Sequence, residues 1–292
     1  MDSLLIVGFG DVAHRALPWL EPHFDIVALV RPAGTVAVAA GPRLRIEPGD
    51  LDDPASLERF AGRASHVLVS APPPVTGTTD PRTEHLFAAL ASHPRLPERI
   101  VYISTSGVYG DCGGAWIDET RPVNPQTDRA RRRVDAERRL TQFGAAHAVG
   151  TVILRAPGIY AAERLPLKRL RERTPVLRPE DDAYTNHVHA DDLAAMAAAA
   201  LLHPDALGIY NACDDRALPM GTWFDLVADR TGLPRPPRIA RTQAPAVIPK
   251  PLLSFMSESR RLRNDRIKAH LGVRLRYPTV YEGVPSVSGN LP

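Results

Sequence analysis

Gly8, Gly10 and Ala13 are spaced as G-x-G-x-x-A, directly after the short apolar run Leu4 to Val7. Residues of these types at this spacing suit the pyrophosphate of a dinucleotide. Gly8 permits a tight turn out of a strand, Gly10 lets the backbone approach a phosphate with no Cβ in the way, and Ala13 is small enough for a helix to pack closely on a sheet. Asp11 and Val12 open that helix, whose positive end would face the phosphates. A purely structural strand-turn-helix is the competing explanation of the same residues.

The residue 21 positions after Gly10 is Arg31. An acidic side chain about 20 residues beyond the glycines takes the adenosine ribose hydroxyls of NAD. A guanidinium there suits a 2′-phosphate and offers nothing to a bare diol. NADP is therefore favoured over NAD, with a solvated loop arginine as the alternative, and Arg15 on the first helix could assist either cofactor. Asp50 and Leu51 are placed to flank the adenine, and Ser70, Ala71 and Pro72 to run beside the pyrophosphate or ribose.

Positioning these residues requires alternating strands and helices. Strand-like runs occur at Leu4 to Val7, Asp25 to Val30, Leu44 to Ile46, His66 to Ser70, Arg99 to Ile103 and Gly150 to Leu154. Helix-like stretches separate them at Asp11 to Leu20, Pro54 to Ala61 after a capping Asp53, Arg82 to Ala91 and Asp128 to Phe143. This alternation predicts an α/β fold, a Rossmann doubly wound parallel sheet of six or seven strands. Beyond Arg155 the order is less regular: a basic helix over Arg164 to Arg173, a short strand over Asn186 to His189, an alanine-rich helix over Asp191 to Leu201, an extended piece at Gly208 to Asn211, a helix over Gly221 to Thr231 and a proline-rich segment, Pro234 to Pro251. The expected division is a nucleotide-binding domain over 1–156 and a mixed region over 157–292. The latter holds a small C-terminal substrate lobe interleaved with the last sheet strands, and its last ten residues are expected to form a loose tail.

Composition excludes several classes. With 292 residues and 44% apolar content the chain can bury a sizeable core. All but three of its 36 basic residues are arginine, yet the net charge is only +3 and no basic stripe is interleaved with aromatics, which argues against a nucleic-acid partner. Cys112 and Cys213 are too few for a disulfide framework and lack zinc-site spacing, so no metal is expected and a reducing cytoplasm is the natural compartment. Neither a basic leader nor an apolar run of about 20 residues is present, so neither export nor a membrane span is expected.

Further blocks follow in order: Gly49-Asp50-Leu51, Ile103-Ser104-Thr105-Ser106-Gly107-Val108-Tyr109-Gly110, Leu154-Arg155-Ala156-Pro157-Gly158-Ile159-Tyr160 and His189-Ala190-Asp191-Asp192-Leu193. With the glycine motif they resemble the extended short-chain dehydrogenase/reductase superfamily, in its NAD-dependent epimerase/dehydratase branch, over nearly the whole chain. Gly107 to Asp111, Trp116 to Thr120 and Asn186 to His189 look closer to an atypical bacterial subgroup, the YeeZ-like proteins. The resemblance implies that Thr105 hydrogen-bonds the reacting oxygen, with Ser104 and Ser106 as neighbours and substitutes. It also implies that Pro157, Gly158 and Ile159 lie against the nicotinamide carboxamide. Asp192 matches a strand-to-helix junction, where a helix N-terminal charge is favoured over a catalyst. Tyr184, Asn186 and His189 could line a substrate pocket, against a satisfied structural role for His189. The helices at Arg82 to Ala91 and Asp128 to Phe143 imply a homodimer.

The chain departs from that family at its acid/base pair. Counting back from Glu137 places Arg133 at the family lysine and Arg129 at the family tyrosine. In the usual enzymes the tyrosine, its pKa lowered by the lysine, passes the proton during hydride transfer. Arginine stays cationic to above about pH 12 and is a poor proton carrier. None of the seven tyrosines is followed four places later by lysine. Arg129, Arg132 and Arg133 share a helical face, which is either a solvated basic surface or a device in which Arg133 meets the nicotinamide ribose while another arginine holds an anionic substrate.

Three functions are compatible with these residues. The first is an NADP-preferring oxidoreductase or epimerase-like enzyme acting on a hydroxyl or carbonyl of a small polar substrate. Thr105 would orient the oxygen, and the proton would come from Tyr109, Tyr160, Tyr184, His189 or water; Tyr160 is the first candidate because it follows the proposed nicotinamide contact. The second is a nucleotide-binding sensor without turnover, and the third a dimeric scaffold without cofactor. In the enzymatic reading Ser106, Tyr109, Arg133, Tyr184, Asn186 and His189 are the substrate-facing residues.

Overall fold

The structure, a computed structural model, describes residues 2–31 and 41–286. Seven apolar runs pair side by side, all in parallel: β1 (Asp2–Val7), β2 (Phe24–Val30), β3 (Leu44–Pro48), β4 (His66–Val69), β5 (Arg99–Thr105), β6 (Gly150–Ala156) and β7 (Gly208–Asn211). Their order across the sheet is β7-β6-β5-β4-β1-β2-β3. The order reverses between β1 and β4, which opens a crevice at the carboxyl ends of those strands.

Side chains alternate across the sheet and so divide the core in two. Leu4 and Ile6 of β1 point to one face, where α1 (Asp11–Leu20) packs beside α5 (Ala190–Leu202). Leu5 and Val7 point to the other, covered by α2 (Pro81–Ala91) and α3 (Asp128–His147). All four β1 side chains are at most 2% exposed, and each such burial stabilises the fold by about 1.5–3 kcal/mol. Alanines on α5 let it lie close to α1 and the sheet, and Ala194, Ala197 and Ala200 are fully buried.

The helix expected over Pro54 to Ala61 is a 3-10 helix, Pro54–Phe60, and Asp53 does not cap it through its side chain. The basic helix expected over Arg164 to Arg173 is shorter. Pro166 lacks the N–H that a continuous helix needs, so a 3-10 turn at Ala162–Arg164 is followed by α4 (Leu167–Arg171). The strand over His187–His189 pairs in parallel with Gly158–Tyr160, apart from the central sheet. Residues after 157 contribute β7 to the central sheet and α5 to the layer that covers one of its faces. They also build a separate apolar cluster, in which Leu165, Leu170 and Val176 meet Leu218, Trp223, Phe224 and Val227 around α6 (Met220–Thr231). The tail expected over the last ten residues lies, from 287 on, outside the described residues.

Among the described residues, no helix is long and apolar enough to cross a membrane and no cluster of His, Cys, Asp or Glu could hold a metal ion. Cys112 and Cys213 are free thiols.

Candidate dinucleotide and substrate cleft

A cleft of about 550 Å³ runs along the carboxyl ends of β1 to β6. Gly8, Gly10, Asp11 and Val12 line it from the turn into α1, Arg31 from the end of β2, Asp50 and Leu51 from beyond β3, and Ser70, Ala71 and Pro72 from beyond β4. Ile103, Ser104 and Thr105 on β5, Ala156, Pro157 and Ile159 beyond β6, and Arg133 on α3 close its other end. Of the residues expected around a dinucleotide, only Ala13 and Gly158 stand away. Ala13 is on the buried face of α1, packed in the core, and Gly158 is exposed beside the His187 ring.

The two glycines differ in what demands them. Gly8 has a φ of +91°, and a Cβ there would sit 2.4 Å from the backbone nitrogen of Ala71, so the crossing of β1 and β4 excludes any side chain. Ala71 N donates to Val7 O at 3.0 Å, and the Ser70 hydroxyl donates to Gly8 O, fixing that crossing. A Cβ on Gly10 would meet nothing within 4 Å among the described residues. Internal packing therefore gives no reason for glycine at position 10, and its place on the cleft wall does. No side chain caps the first turn of α1, which leaves its amides available to an anion. The residues present fit a dinucleotide.

Charge in the cleft is unevenly compensated. Arg82, on α2, grips Asp52 through Nε at 2.8 Å and Nη2 at 2.5 Å. Arg164, from the lobe, donates to Asp11 at 2.9 Å. Burial pushes the Asp11 carboxyl up, but hydrogen bonds from Arg15 and Arg164 outweigh it and hold the group below the usual range. Arg15 is also tied to Glu163 and, at 2.5 Å, to Asp191, so it clasps α1 to the lobe and to α5 and does not line the cleft. Arg31 is exposed and makes no hydrogen bond or ion pair among the described residues, though its charge acts on Asp52 nearby.

The basic face of α3 is turned inward. Arg132 is 7% exposed and donates to Gly77 O at 2.5 Å, and the Arg129 guanidinium lies 4.0 Å from the centre of the Phe255 ring. Arg133 Nη1 donates to Tyr102 Oη at 2.8 Å and to Ile103 O at 2.9 Å. A solvated basic surface is thereby excluded for these three, and only Arg131 on that turn is exposed, beside Asp128.

Thr105 stands on the cleft wall at the end of β5. Its Oγ1 accepts from Gly107 N at 3.2 Å and caps the 3-10 turn Ser106–Tyr109. Its hydroxyl proton has no acceptor among the described residues. Ser104 is committed differently, donating at 2.5 Å to the buried carboxylate of Glu137.

The remaining expected residues do not reach the cleft. Tyr160 is 2% exposed, its hydroxyl directed at Thr279 O at 3.4 Å and its ring packed edge-on against His189 and Trp223. Burial drives its pKa upward, and Tyr160 is a core side chain that does not line the cleft. Ser106 is buried, as is Tyr109, whose hydroxyl donates to Asn211 at 2.8 Å and whose pKa burial pushes up to about 12. Asn186 links two backbones, donating to Arg260 O at 3.0 Å and accepting from Leu262 N at 2.8 Å. His189 Nδ1 accepts from Asp191 N at 3.2 Å as the cap of α5, and its ring lies 3.9 Å from that of Tyr277. Tyr184 stacks under Arg261. Asp192 accepts from the amides of Arg276 and Tyr277 at 2.8 and 2.9 Å and anchors that segment. Of the six residues expected to face a substrate, Arg133 alone lines the cleft.

Sequence reasoning missed Arg82 and Arg164 as cleft residues. Arg82 follows a helix-starting Asp-Pro, which announces the helix but not its reach. Arg164 enters through the lobe, whose placement no periodicity specified.

Solved structures share this architecture. A conserved protein of unknown function from Silicibacter pomeroyi superposes with a TM-score of 0.76 at 29% identity, over 97% of this chain and 96% of that one. The UDP-glucose 4-epimerase of Thermotoga maritima, solved with UDP-glucose, gives 0.76 at 16% identity over 96% of both chains. The Thermus thermophilus UDP-glucose 4-epimerase in complex with NAD gives 0.74 at 20% over 96% of both. Among curated proteins, a 3-diazoavenalumate denitrifying reductase from a Streptomyces species is 27% identical over 144 residues, which are 49% of this chain and 44% of that enzyme. The sequence model of the NAD dependent epimerase/dehydratase family matches residues 13–213, from within α1 through the Thr105 block to β7. On that match, carried by a sheet and cleft of the corresponding form, the chain belongs to the NAD-dependent epimerase/dehydratase family.

Proposed function

We propose that the chain is an NADP-preferring oxidoreductase or epimerase-like enzyme that acts on a hydroxyl or carbonyl of a small polar substrate, an anionic one included, without the family's Tyr/Lys pair. The observation that carries this reading is that Thr105, with an uncommitted hydroxyl proton, shares one cleft with the Gly8–Gly10 turn and Arg133. Gly10, the first turn of α1, Ser70, Ala71 and Pro72 would hold the pyrophosphate and its ribose. Asp50 and Leu51 would flank the adenine, and Pro157 and Ile159 the nicotinamide. A bound nicotinamide would supply or take up a hydride. Thr105 would donate to the substrate oxygen, Ser104 would be held off by Glu137, and Arg133 would place a fixed positive charge beside the reacting oxygen. The curated reductase that the chain partly matches supports a reductive direction.

Preference for NADP rests on Arg31, an exposed guanidinium at the end of β2 that makes no hydrogen bond or ion pair among the described residues. The reading includes a nucleotide-binding part over 1–156 with a substrate lobe from 157–292, a YeeZ-like affiliation, a homodimer through α2 and α3, and a cytoplasmic setting. Titration calorimetry with NADP and NAD tests it. NADP should bind in the micromolar range, roughly −8 kcal/mol, and Arg31→Gln should cost it tenfold or more, about 1.4 kcal/mol, with little change for NAD. Absence of binding by both nucleotides would reject the proposal.

A second reading, a nucleotide-binding sensor without turnover, is favoured by one observation. No Tyr, Lys, His or Cys is among the described residues that line the cleft. Tight NADP binding with no reduction across a broad carbonyl panel would select it.

A further inference from the structure

Four arginines line the cleft, and two of them are neutralised: Arg82 by Asp52 and Arg164 by Asp11. The other two, Arg31 and Arg133, form no ion pair among the described residues and stand at opposite ends of the cleft. Arg31 is accounted for by the 2′-phosphate in the proposed function. Arg133 is not.

Its guanidinium is held by one nitrogen. Nη1 makes both of its hydrogen bonds, to Tyr102 Oη and Ile103 O, while Nε and Nη2 make none and neither is shut away from solvent. Two parallel N–H groups on one edge of a guanidinium match the two oxygens of a carboxylate. The fixed Nη1 leaves the Nε/Nη2 edge for that purpose, on a wall shared with Thr105. Tyr102 is 1% exposed on β5, so the group that aims the arginine is itself immobile.

We infer that Arg133, at the position of the family lysine, is a carboxylate-binding residue, that Tyr102 is its positioning residue, and that the substrate is a small carboxylate whose reacting oxygen meets Thr105. The inference rests on the proposed function. One fixed guanidinium matches a monoanion, whereas a phosphate dianion would require further donors that this end of the cleft does not show. Arg129, one turn earlier and stacked on Phe255, adds positive potential on the same side of α3.

The test is calorimetric. The protein, with and without saturating NADP, is titrated with oxamate and benzoate, with their neutral counterparts oxamide and benzamide, and with inorganic phosphate. The carboxylates should bind about tenfold or more tightly than the amides, and Arg133→Gln should abolish that preference. Arg133→Lys, which keeps the charge and loses the edge, should retain only part of it, and Tyr102→Phe should weaken carboxylates by about threefold while sparing NADP. Equal affinity for carboxylates and amides, a preference that survives in Arg133→Gln, or a stronger response to phosphate would overturn the inference. A loss of NADP affinity in Arg133→Gln with the carboxylate preference intact would assign Arg133 to the cofactor ribose, refuting the inference and leaving the proposed function standing. A wild-type protein that binds no NADP but shows an Arg133-dependent carboxylate preference would reject the function and uphold the carboxylate site.

Discussion

Glu137 on α3 and Arg155 on β6 form a buried ion pair at 2.7 Å beneath the cleft, with side chains 7% and 4% exposed. The pair ties the helix that carries Arg133 to the strand that leads into Pro157. Ser104 donates a further bond to the same carboxylate, and the Arg155 guanidinium lies 4.6 Å from the centre of the Tyr109 ring. Glu137→Ala would strand a buried cation, which costs about 3–5 kcal/mol. Replacing both members, Glu137→Leu with Arg155→Met, should recover most of that loss, because desolvation offsets much of what a buried pair contributes. Urea unfolding of the two variants measures the difference, and equal destabilisation would mean that the pair is not the unit.

Gly8 and Gly10 belong to one motif but answer to different demands. Gly8→Ala places a Cβ 2.4 Å from Ala71 N at a φ of +91°, so it should lower the melting temperature and the yield of folded protein. Gly10→Ala meets nothing within 4 Å among the described residues, and Gly10 has an extended backbone, φ −100° and ψ −168°, that alanine adopts readily. Its melting temperature should stay near wild type while dinucleotide affinity falls about tenfold or more, since the new methyl occupies the place of phosphate contacts. Thermal melts paired with NADP titration separate the two effects. A Gly10→Ala protein that binds as wild type does would detach the glycine from the ligand.

The central sheet was legible because each of its first six strands is an apolar run of near-uniform character with a turn or helix signal after it, and the glycine spacing marked where the cleft opens. The 3-10 geometry at Pro54–Phe60 was not, since seven residues carry too little periodicity to distinguish it from an α-helix. On the cofactor side the expected residues came together because each lies at the carboxyl end of a strand, a place that follows from topology alone. The substrate side failed for the opposite reason. Tyr160 and His189 sit on short strands outside the sheet and Asn186 between two such strands, and whether such a side chain faces the cleft or the lobe core depends on packing by Trp223, Tyr277 and Arg260 from far along the chain. The charges on α3 misled in the same way. Arg129, Arg132 and Arg133 look like a surface by composition, yet Phe255, Gly77 and Tyr102 cover them.

Asp214 is 3% exposed, and its Oδ2 has no hydrogen-bond partner while Oδ1 accepts from Arg216 N at 3.1 Å. Burial, reinforced by Asp215, Asp192 and Glu282, pushes its pKa up to about 8 against the pull of that amide. In the unfolded chain the proton leaves near pH 4. Between about pH 4 and about pH 8 the folded chain therefore binds more protons, and stability falls as pH rises through that window. Asp214→Asn removes the titration, so the variant should gain on wild type steadily from pH 5 to pH 8. Denaturant midpoints across that range test this, and parallel profiles for the two proteins would show that Asp214 is ionised in the fold.

Thr105 and Tyr160 were both candidates for contact with the reacting oxygen, and the structure separates them by position. Thr105→Val keeps the shape and removes a hydroxyl that lines the cleft and caps the turn Ser106–Tyr109 through Gly107 N. Loss of that cap costs about 1 kcal/mol of stability, and loss of a hydrogen bond to a developing charge should lower kcat by about 100-fold or more. Thr105→Ser restores both the cap and the donor, so it should recover most of the activity and shows that the hydroxyl matters and not the methyl. Tyr160→Phe removes a hydroxyl whose partner is Thr279 O at 3.4 Å in the lobe core. Its ring packing against His189 and Trp223 remains, so turnover should stay within about twofold of wild type and stability should change by about 1 kcal/mol or less. Steady-state kinetics on any substrate that the carbonyl panel yields decides the matter. If Tyr160→Phe loses turnover while Thr105→Val keeps it, the lobe must open far enough to expose Tyr160 during the reaction, and the cleft described above is not the complete catalytic site.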